Sequence, residues 1–198
     1  NGMPIGSEIY GGGIHDAQQS EPPFFDPFLW VFGADFCSHD FDFHRDTEIF
    51  GDAISPVMSA NNPDLSPFFS HGGKLLSYSA TSDPCVPFPD AMRYCERVWE
   101  KCGGYDAVSQ CYRWFLVPGM DHNFGGHGLN ALWADEEQHD LFWALRRWTE
   151  DGVAPDALVG AHIDGDRTEF TRCLYPYGSD RFPKTEHVLT CDEYYLAK

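Results

Sequence analysis

The chain has 198 residues, of which 42% are hydrophobic and 16% aromatic, and this composition argues against intrinsic disorder. Its formal net charge is −18, so it repels phosphate backbones and anionic headgroups, and nucleic acid and membrane surfaces are not expected as partners. No apolar run approaches the roughly 20 residues that a membrane-spanning helix needs.

The first 50 residues contain several breaks in regular structure. Glycines 11 to 13 and prolines 22, 23 and 27 interrupt this segment. Aromatic side chains crowd residues 24–43, and a packed peripheral layer is the favoured interpretation. The alternative is a short helix or an aromatic-rich lid, which is suggested by the spacing of four residues: Phe25, Phe28, Leu29 and Phe32.

From residue 72 onward, strands and helices alternate. Residues 73–80 are a short apolar run opened by glycines, which predicts a buried strand. Residues 111–117 predict a second strand, which ends at Pro118 and Gly119. Between them, residues 89–102 predict a helix that stops at a pair of glycines. Its apolar face consists of Ala91, Met92, Cys95, Val98, Trp99 and Cys102.

A second helix is predicted from about residue 135 to residue 151, with acidic residues first and arginines last, as the helix dipole favours. Its predicted apolar stripe is Leu141, Phe142, Leu145 and Trp148. Residues 155–198 are expected to be irregular. The order of the predicted elements along the chain, which is strand, helix, strand, helix, indicates an α/β fold with a parallel sheet flanked by helices. Because two strands are too few for such a sheet, the others are expected upstream, partly outside this chain.

Two polar residues follow the two predicted strands. Asp83 lies in the loop after the first strand, and His122 lies in a glycine-flanked loop after the second. The carboxyl ends of parallel strands collect functional groups, and the order aspartate then histidine matches the later part of a Ser…Asp…His triad. On spacing alone, an equal alternative is that Asp83 caps a turn and His122 makes an ordinary loop hydrogen bond.

The seven cysteines include no C-x-x-C pair, which argues against a zinc ribbon. The cysteines are better explained as disulfide partners in an exported protein. Because the number of cysteines is odd, one of them is left unpaired or is joined to something outside the chain. Cys102 and Cys111 flank a short connection and could pair. Cys95 and Cys102 lie about 10 Å apart along one helix and should not pair.

Other residues are candidates for metal binding or substrate binding. Alternating Asp40, Asp42, His44 and Asp46 would share one face of a strand and could hold a divalent ion, but a solvated acidic loop is favoured, and no metal ligand is assigned. His127 either lines the site or lies on the surface. Four aromatic residues could contact an aromatic acyl group, although core packing is favoured for each alone: Phe24, Phe25, Trp30 and Trp133.

Several motifs in order resemble the tannase/feruloyl esterase family, which also includes mono-ester terephthalate hydrolases. The similarity covers residues 50 to 191. It rests on the stretches NPDLS at 62–66, GGKLL at 72–76, SDP at 82–84, VPGM at 117–120 followed by His122, WTEDGVAPD at 148–156, CLYP at 173–176, and Cys191.

The resemblance implies the carboxy-terminal half of an α/β-hydrolase fold. Residues 51–198 would be part of the catalytic domain, and residues 1–50 would be a lid-derived or peripheral segment. Asp83 is then the triad acid, His122 the triad base, and Cys173 and Cys191 a disulfide. Family members hydrolyse esters of aromatic acids, most are exported, and the lid commonly holds calcium, so no cofactor is expected within this chain.

The sequence departs from the family in two ways. No G-x-S-x-G nucleophile turn occurs, and the calcium loop is also missing. Asn123 replaces a cysteine that the family bridges to a cysteine before the serine. The chain is therefore expected to need an amino-terminal chain or segment that carries the nucleophile. The unpaired cysteine could link this chain to that partner by a disulfide. The alternative is a non-catalytic binding or scaffold subunit, or an inactive remnant of the same fold.

Overall fold

The computed structural model describes residues 27–37, 40–83, 85–122, 125–133 and 140–183. The chain forms two compact units that divide between Asn61 and Asn62, whereas the predicted boundary at residue 50 lies inside a helix. In chain order, the elements are α1 (Pro27–Phe32), α2 (Asp46–Met58), α3 (Ser66–Ser70), β1 (Leu75–Ala80), α4 (Phe88–Lys101), α5 (Tyr105–Val108), β2 (Tyr112–Val117), α6 (Leu141–Glu150), β3 (Leu158–Asp164) and β4 (Arg167–Leu174).

The first unit contains α1 and α2 and is held together by phenylalanine rings. The Phe28 ring of α1 stacks on the Phe50 ring of α2, with centroids 4.3 Å apart. Phe41 meets the rings of Phe32 and Phe36 edge-on. Offset-stacked and edge-on pairs of this kind are the favoured geometries for aromatic rings. The short helix that the phenylalanine spacing suggested is therefore present at α1.

The acidic residues before α2 form a turn instead of the alternating strand that was considered. The Asp42 carboxylate accepts hydrogen bonds from the backbone N–H groups of His44 and Arg45, at 2.8 and 3.1 Å. The N–H of Arg45, followed by that of His44, lowers the pKa of Asp42. Asp46 pairs with the Arg45 guanidinium. Because Asp42 and Asp46 are engaged by protein donors, they do not converge on an ion site.

In the second unit, β1 and β2 pair in parallel, as predicted, in a register that runs from Leu75 opposite Tyr112 to Ala80 opposite Val117. The helix between them, α4, also matches its prediction within one residue at each end. It ends at Gly103 and Gly104, which both have positive φ. Glycine adopts this conformation at little cost, so the sequence signal for the helix end was reliable.

Strand β2 is buried on both faces, with alternate side chains in two different cores. Phe115 and Val117 join the core that includes Leu129, Leu158 and Leu174. Trp114 and Leu116 join the core under α4 and α5. Because strand side chains alternate in direction, this division identifies β2 as an interior strand covered on both sides.

Helix α6 begins later than predicted, and one residue of its predicted apolar stripe faces away from the core. Its N-cap is Asp140, whose backbone is extended and whose side chain accepts hydrogen bonds from the N–H groups of Phe142 and Trp143. An extended N-cap means that the helix starts at Leu141, so the predicted start near residue 135 was wrong. Phe142 is 70% exposed, and so it does not belong to the buried stripe, whereas Trp148 is 2% exposed.

The largest error of the sequence prediction concerns the segment after residue 155. Strands β3 and β4 form an antiparallel hairpin there, where irregular structure was expected. The two residues between the paired Asp164 and Arg167, Gly165 and Asp166, are a recognised hairpin signal, and Gly165 has the positive φ that such turns use. The strand pattern is weak because β4 is exposed along most of its length and shows no apolar alternation.

The hairpin contacts the segment that follows His122. Ala131 forms a β-bridge with Ala161. The Asn130 side chain donates to the Ile163 carbonyl and accepts from its N–H, at 2.9 and 2.8 Å. His162 Nδ1 hydrogen-bonds the Gly128 carbonyl oxygen. The hairpin therefore supports the His122 loop from its carboxyl side. No described helix is both long and apolar enough to cross a membrane.

The one suggested cysteine pairing that lies within the described residues, Cys102 with Cys111, is not present. Cys85, Cys95, Cys102 and Cys111 are free thiols. The proposed bridge between Cys102 and Cys111 is wrong, because their sulfurs have different neighbours: the Pro63 carbonyl oxygen at 3.5 Å and the Lys74 ammonium at 3.9 Å. Cys191 lies outside the described residues, so its pairing with Cys173 stays a prediction.

Thiol accessibility provides a test of this fold. Burial raises the pKa of Cys95 to about 12, so its reactive thiolate is scarce near neutral pH, whereas Cys85 is exposed. In the native protein, iodoacetamide should label Cys85, and Cys95 should react only after unfolding. Peptide mass spectrometry with and without denaturant measures both sites. Equal native labelling of the two cysteines would contradict the packing of α4.

Candidate active site

Asp83 and His122 lie side by side. His122 Nδ1 is 2.9 Å from Asp83 Oδ2 and 3.1 Å from Asp83 Oδ1. The Asp83 side chain is 11% exposed, whereas the His122 side chain is 40% exposed. A mostly buried carboxylate thus holds one nitrogen of a ring that still reaches solvent.

The protonation of the imidazole follows from its partner. An ionised carboxylate only accepts hydrogen bonds, so the proton of a neutral His122 ring belongs on Nδ1, facing Asp83. Nε2 then carries a lone pair and serves as an acceptor. No other described residue hydrogen-bonds this nitrogen. The pair can therefore accept a proton at Nε2 while Asp83 stabilises the resulting imidazolium.

The two loops that carry this pair are joined just beyond the parallel strands. Thr81 N–H donates to the Val117 carbonyl oxygen, and Ser82 N–H donates to the Met120 carbonyl oxygen, both at 3.0 Å. The Thr81 hydroxyl accepts from Gly119 N–H at 2.8 Å. These bonds continue the strand register into the loops. Thr81 is not among the residues predicted from the sequence, although a hydroxyl residue directly after a strand is the available signal.

Asp83 also caps its own loop. Its Oδ1 accepts hydrogen bonds from the N–H groups of Cys85 and Val86, at 2.8 and 2.9 Å. Such a turn, closed by an aspartate side chain, fixes the carboxylate relative to the backbone. The turn cap that the sequence left open for Asp83 is therefore present, and the same carboxylate also contacts His122, so the two interpretations do not exclude each other.

The His122 loop is closed on itself by backbone hydrogen bonds. Gly128 N–H donates to the Gly119 carbonyl oxygen at 3.0 Å, and Leu129 N–H donates to the Pro118 carbonyl oxygen at 2.9 Å. Inside the loop, the Asp121 carboxylate accepts from Gly125 N–H at 2.6 Å. The loop that follows β2 therefore has a defined path through the residues that the structure describes.

Glycine is required in this loop for steric reasons. A Cβ atom on Gly128 would lie 2.5 Å from the Gly119 Cα and would also overlap the Pro118 carbonyl oxygen. Gly126 has a φ of +98°, and a Cβ there would overlap the Gly119 carbonyl oxygen. The role of these glycines is close backbone packing, which sets the position of His122.

The remaining candidates have different outcomes. His127 is exposed and lies on the same loop as His122. Trp133 is 48% exposed at the end of the segment that pairs with the hairpin. Phe24, Phe25 and Asn123 lie outside the described residues. A role in substrate binding therefore stays a prediction for the four substrate-binding candidates: His127, Trp133, Phe24 and Phe25.

Comparison with known proteins identifies the relatives of this chain. The family model described as "Tannase and feruloyl esterase" matches residues 29–188. Feruloyl esterase C of Talaromyces stipitatus is 34% identical over 126 residues, which is 57% of this chain and 24% of that protein. An uncharacterized esterase of Xanthomonas campestris pv. campestris is 34% identical over 135 residues, which is 59% of this chain and 23% of that protein. The chain thus spans about a quarter of the length of these relatives.

Solved structures show the same relationship. Feruloyl esterase B from Aspergillus oryzae superposes with a TM-score of 0.66 and 27% identity, covering 76% of this chain and 32% of that one. Tannin acyl hydrolase from Aspergillus niger gives a TM-score of 0.60 at 18% identity, covering 77% and 30% of the two chains, and it supports the fold alone. The fold is thus a carboxy-terminal portion of an α/β-hydrolase, as the resemblance implied.

A single substitution tests the close packing of the His122 loop. Gly128→Ala should lower the free energy of unfolding by roughly 1–3 kcal/mol, because the new methyl group must displace backbone atoms. Urea unfolding followed by circular dichroism measures the change.

The matched control for this variant is Gly51→Ala in α2. A Cβ at Gly51 meets nothing within 4 Å, and alanine favours helices by roughly 0.5–1 kcal/mol over glycine. This control should be neutral or slightly stabilised. If the two variants unfolded at the same urea concentration, the steric argument for Gly128 would fail.

Proposed function

The chain belongs to the tannase and feruloyl esterase family, and from this membership we propose that the protein that contains it is a carboxylic ester hydrolase. The proposed substrates are small esters of aromatic acids of the hydroxybenzoic or hydroxycinnamic type. The observation that carries the proposal is the 2.9 Å contact of His122 Nδ1 with Asp83, in a His122 side chain that is 40% exposed. The name of one relative, feruloyl esterase C, supports the substrate class.

The proposed reaction is acyl transfer through a serine. His122 Nε2 takes the hydroxyl proton of the serine as its oxygen attacks the ester carbonyl carbon. The resulting imidazolium is stabilised by Asp83 and returns the proton to the departing alcohol. Water then attacks the acyl-serine in the same way, and the free acid and the serine are released.

We propose that the serine comes from sequence outside these 198 residues. Within the described residues, Ser79 accepts a hydrogen bond from the Trp114 indole N–H at 3.1 Å, and Ser82 is 2% exposed. Neither is placed as a nucleophile that a substrate could reach. The partial coverage of the relatives is consistent with an amino-terminal chain or segment that supplies the serine, with or without a disulfide link.

Two further properties are proposed from the family resemblance. Most members of the family are exported, so export from the cell is proposed. Calcium is proposed to bind in the lid, which would belong to the upstream segment.

The strong negative charge of the chain, −18, favours neutral or weakly charged ester substrates over polyanions. An exposed Trp133 offers an aromatic surface for the acyl group.

Substitution of the acid–base pair tests the mechanism in the full-length protein. His122→Ala and Asp83→Asn should each lower kcat on methyl ferulate or methyl gallate by about 10³-fold or more, because the first removes the base and the second removes the carboxylate that orients the imidazole and stabilises its positive charge. An asparagine at 83 keeps an oxygen that can accept from the N–H groups of Cys85 and Val86, so the turn should persist. Initial rates and circular dichroism measure activity and folding together.

Matched controls for these variants are His71→Ala and Asp156→Asn. His71 is exposed and bonds only within its own helix region, and the Asp156 side chain is 87% exposed. Both controls should retain full activity. Full activity of His122→Ala in a folded protein would exclude the proposed base. Absence of turnover in the unsubstituted full-length protein would favour the scaffold interpretation.

A covalent probe tests where the nucleophile lies. A fluorophosphonate reacts with an activated serine, so it should modify one serine of the full-length protein, and the modified peptide should fall outside the present 198 residues. The His122→Ala variant should react far more slowly. Tandem mass spectrometry locates the adduct. An adduct on a serine of this chain would refute the proposal that the nucleophile is supplied from elsewhere.

A further inference from the structure

A third potential ligand lies beside the Asp83–His122 pair. The sulfur of Cys85, a carboxylate oxygen of Asp83 and a ring nitrogen of His122 all lie within 4.8 Å of one another. Among the described residues, these three side chains are the group that could together hold a metal ion. We propose that these residues form a zinc-binding site whose occupation switches off the His122 base.

The turn at Asp83 explains why Cys85 comes so close. Asp83 Oδ1 accepts the Cys85 N–H at 2.8 Å, and this bond folds the chain back over two residues. No metal ligand is predicted here from the sequence, because the cysteine and the aspartate meet His122 only through the pairing of β1 with β2. The cysteine is separated from His122 by more than thirty positions along the chain.

The geometry is close to what a zinc ion needs. Zinc–ligand bonds of about 2.0–2.3 Å place tetrahedral ligands about 3.3–3.8 Å apart. The closest pair here, His122 Nδ1 and Asp83 Oδ2, is 2.9 Å apart, and the whole group lies within 4.8 Å. Small side-chain rotations of Cys85 and His122, which are both exposed, are enough to adjust these distances. The same exposure gives the ion a path of entry.

The ligand set selects the type of ion. A thiolate and an imidazole favour zinc over calcium or magnesium, which prefer oxygen ligands. Three protein ligands leave a fourth position for water, as in open zinc sites. Binding releases the thiol proton of Cys85 to solvent, and no electrons are transferred. The net charge of −18 also favours the approach of a cation.

Zinc binding would remove the base whichever ring nitrogen it uses, a consequence that rests on the proposed function. If the ion takes Nε2, the acceptor lone pair is occupied directly. If it takes Nδ1, the proton of the neutral ring moves to Nε2, which then donates and cannot accept. In both cases His122 cannot take a proton from a serine. The site is therefore inhibitory, and it is reversed by a chelator.

Metal titration of the full-length protein tests the site without reference to catalysis. Cobalt(II) should produce a cobalt–thiolate charge-transfer band in the near-ultraviolet, and zinc should displace it. Cys85→Ala should abolish the band and weaken zinc affinity at least about 10-fold, since even residues that only support a ligand cost that much. Cys85→His keeps a zinc ligand, so it should lose the band and retain most of the zinc affinity.

The matched control is Cys111→Ala. Cys111 is partly exposed, but its sulfur lies 3.9 Å from the Lys74 ammonium, a neighbour that disfavours a cation. This variant should bind cobalt and zinc as the unsubstituted protein does. A protein that gives no cobalt–thiolate band, or a Cys85→Ala variant with unchanged affinity, would overturn the proposal.

Inhibition is a separate measurement. For each variant, the rate of ester hydrolysis with zinc is divided by the rate without it, so differences in basal rate cancel. Zinc should inhibit the unsubstituted protein and the Cys111→Ala variant, and at least about 10-fold more zinc should be needed for Cys85→Ala. A chelator should restore activity. If metal binds through Cys85 but the full-length protein hydrolyses no ester, the site stands and the proposed function fails.

Discussion

The parallel register of β1 and β2 is the constraint on which the rest of this structure depends. With Ala80 opposite Val117, both strands end at the same level, and the loops beyond them begin as neighbours. Hydrogen bonds from Thr81 and Ser82 extend this alignment into the loops. A slip of one residue would turn every side chain of β2 to the wrong core. The two-sided burial of β2 therefore fixes the distance between Asp83 and His122.

Around this pair, most of the supporting structure limits motion and makes no direct contact with the reacting groups. The glycines after His122 let the backbone of the loop pack against residues 118 and 119, and the β3–β4 hairpin holds the other end through Asn130 and His162. A general base works only when its nitrogen stays within hydrogen-bonding distance of its partner. The contacts at both ends of the loop therefore hold His122 in a defined position.

The Asp83 carboxylate has several partners at once. Its oxygens accept from two backbone N–H groups of the loop and also face His122. This arrangement keeps the carboxylate fixed before any substrate arrives, which is how preorganised polar groups contribute to catalysis. The same turn carries Cys85 close to the imidazole. The proposed hydrolase activity and the proposed zinc sensitivity thus arise from one short segment, and they can be separated experimentally by changing Cys85.

The sequence alone determined the two strands of the parallel pair, helix α4 and the positions of Asp83 and His122 after the strands. These features depend on local signals: apolar runs, glycine stops and helical periodicity. It did not reveal the hairpin of residues 158–174, because β4 is too exposed to show an apolar pattern. Only the tertiary structure decided that Asp83 meets His122, 39 positions away, and that Cys85 joins them. Such contacts depend on strand register and loop closure between distant residues, which no local pattern encodes.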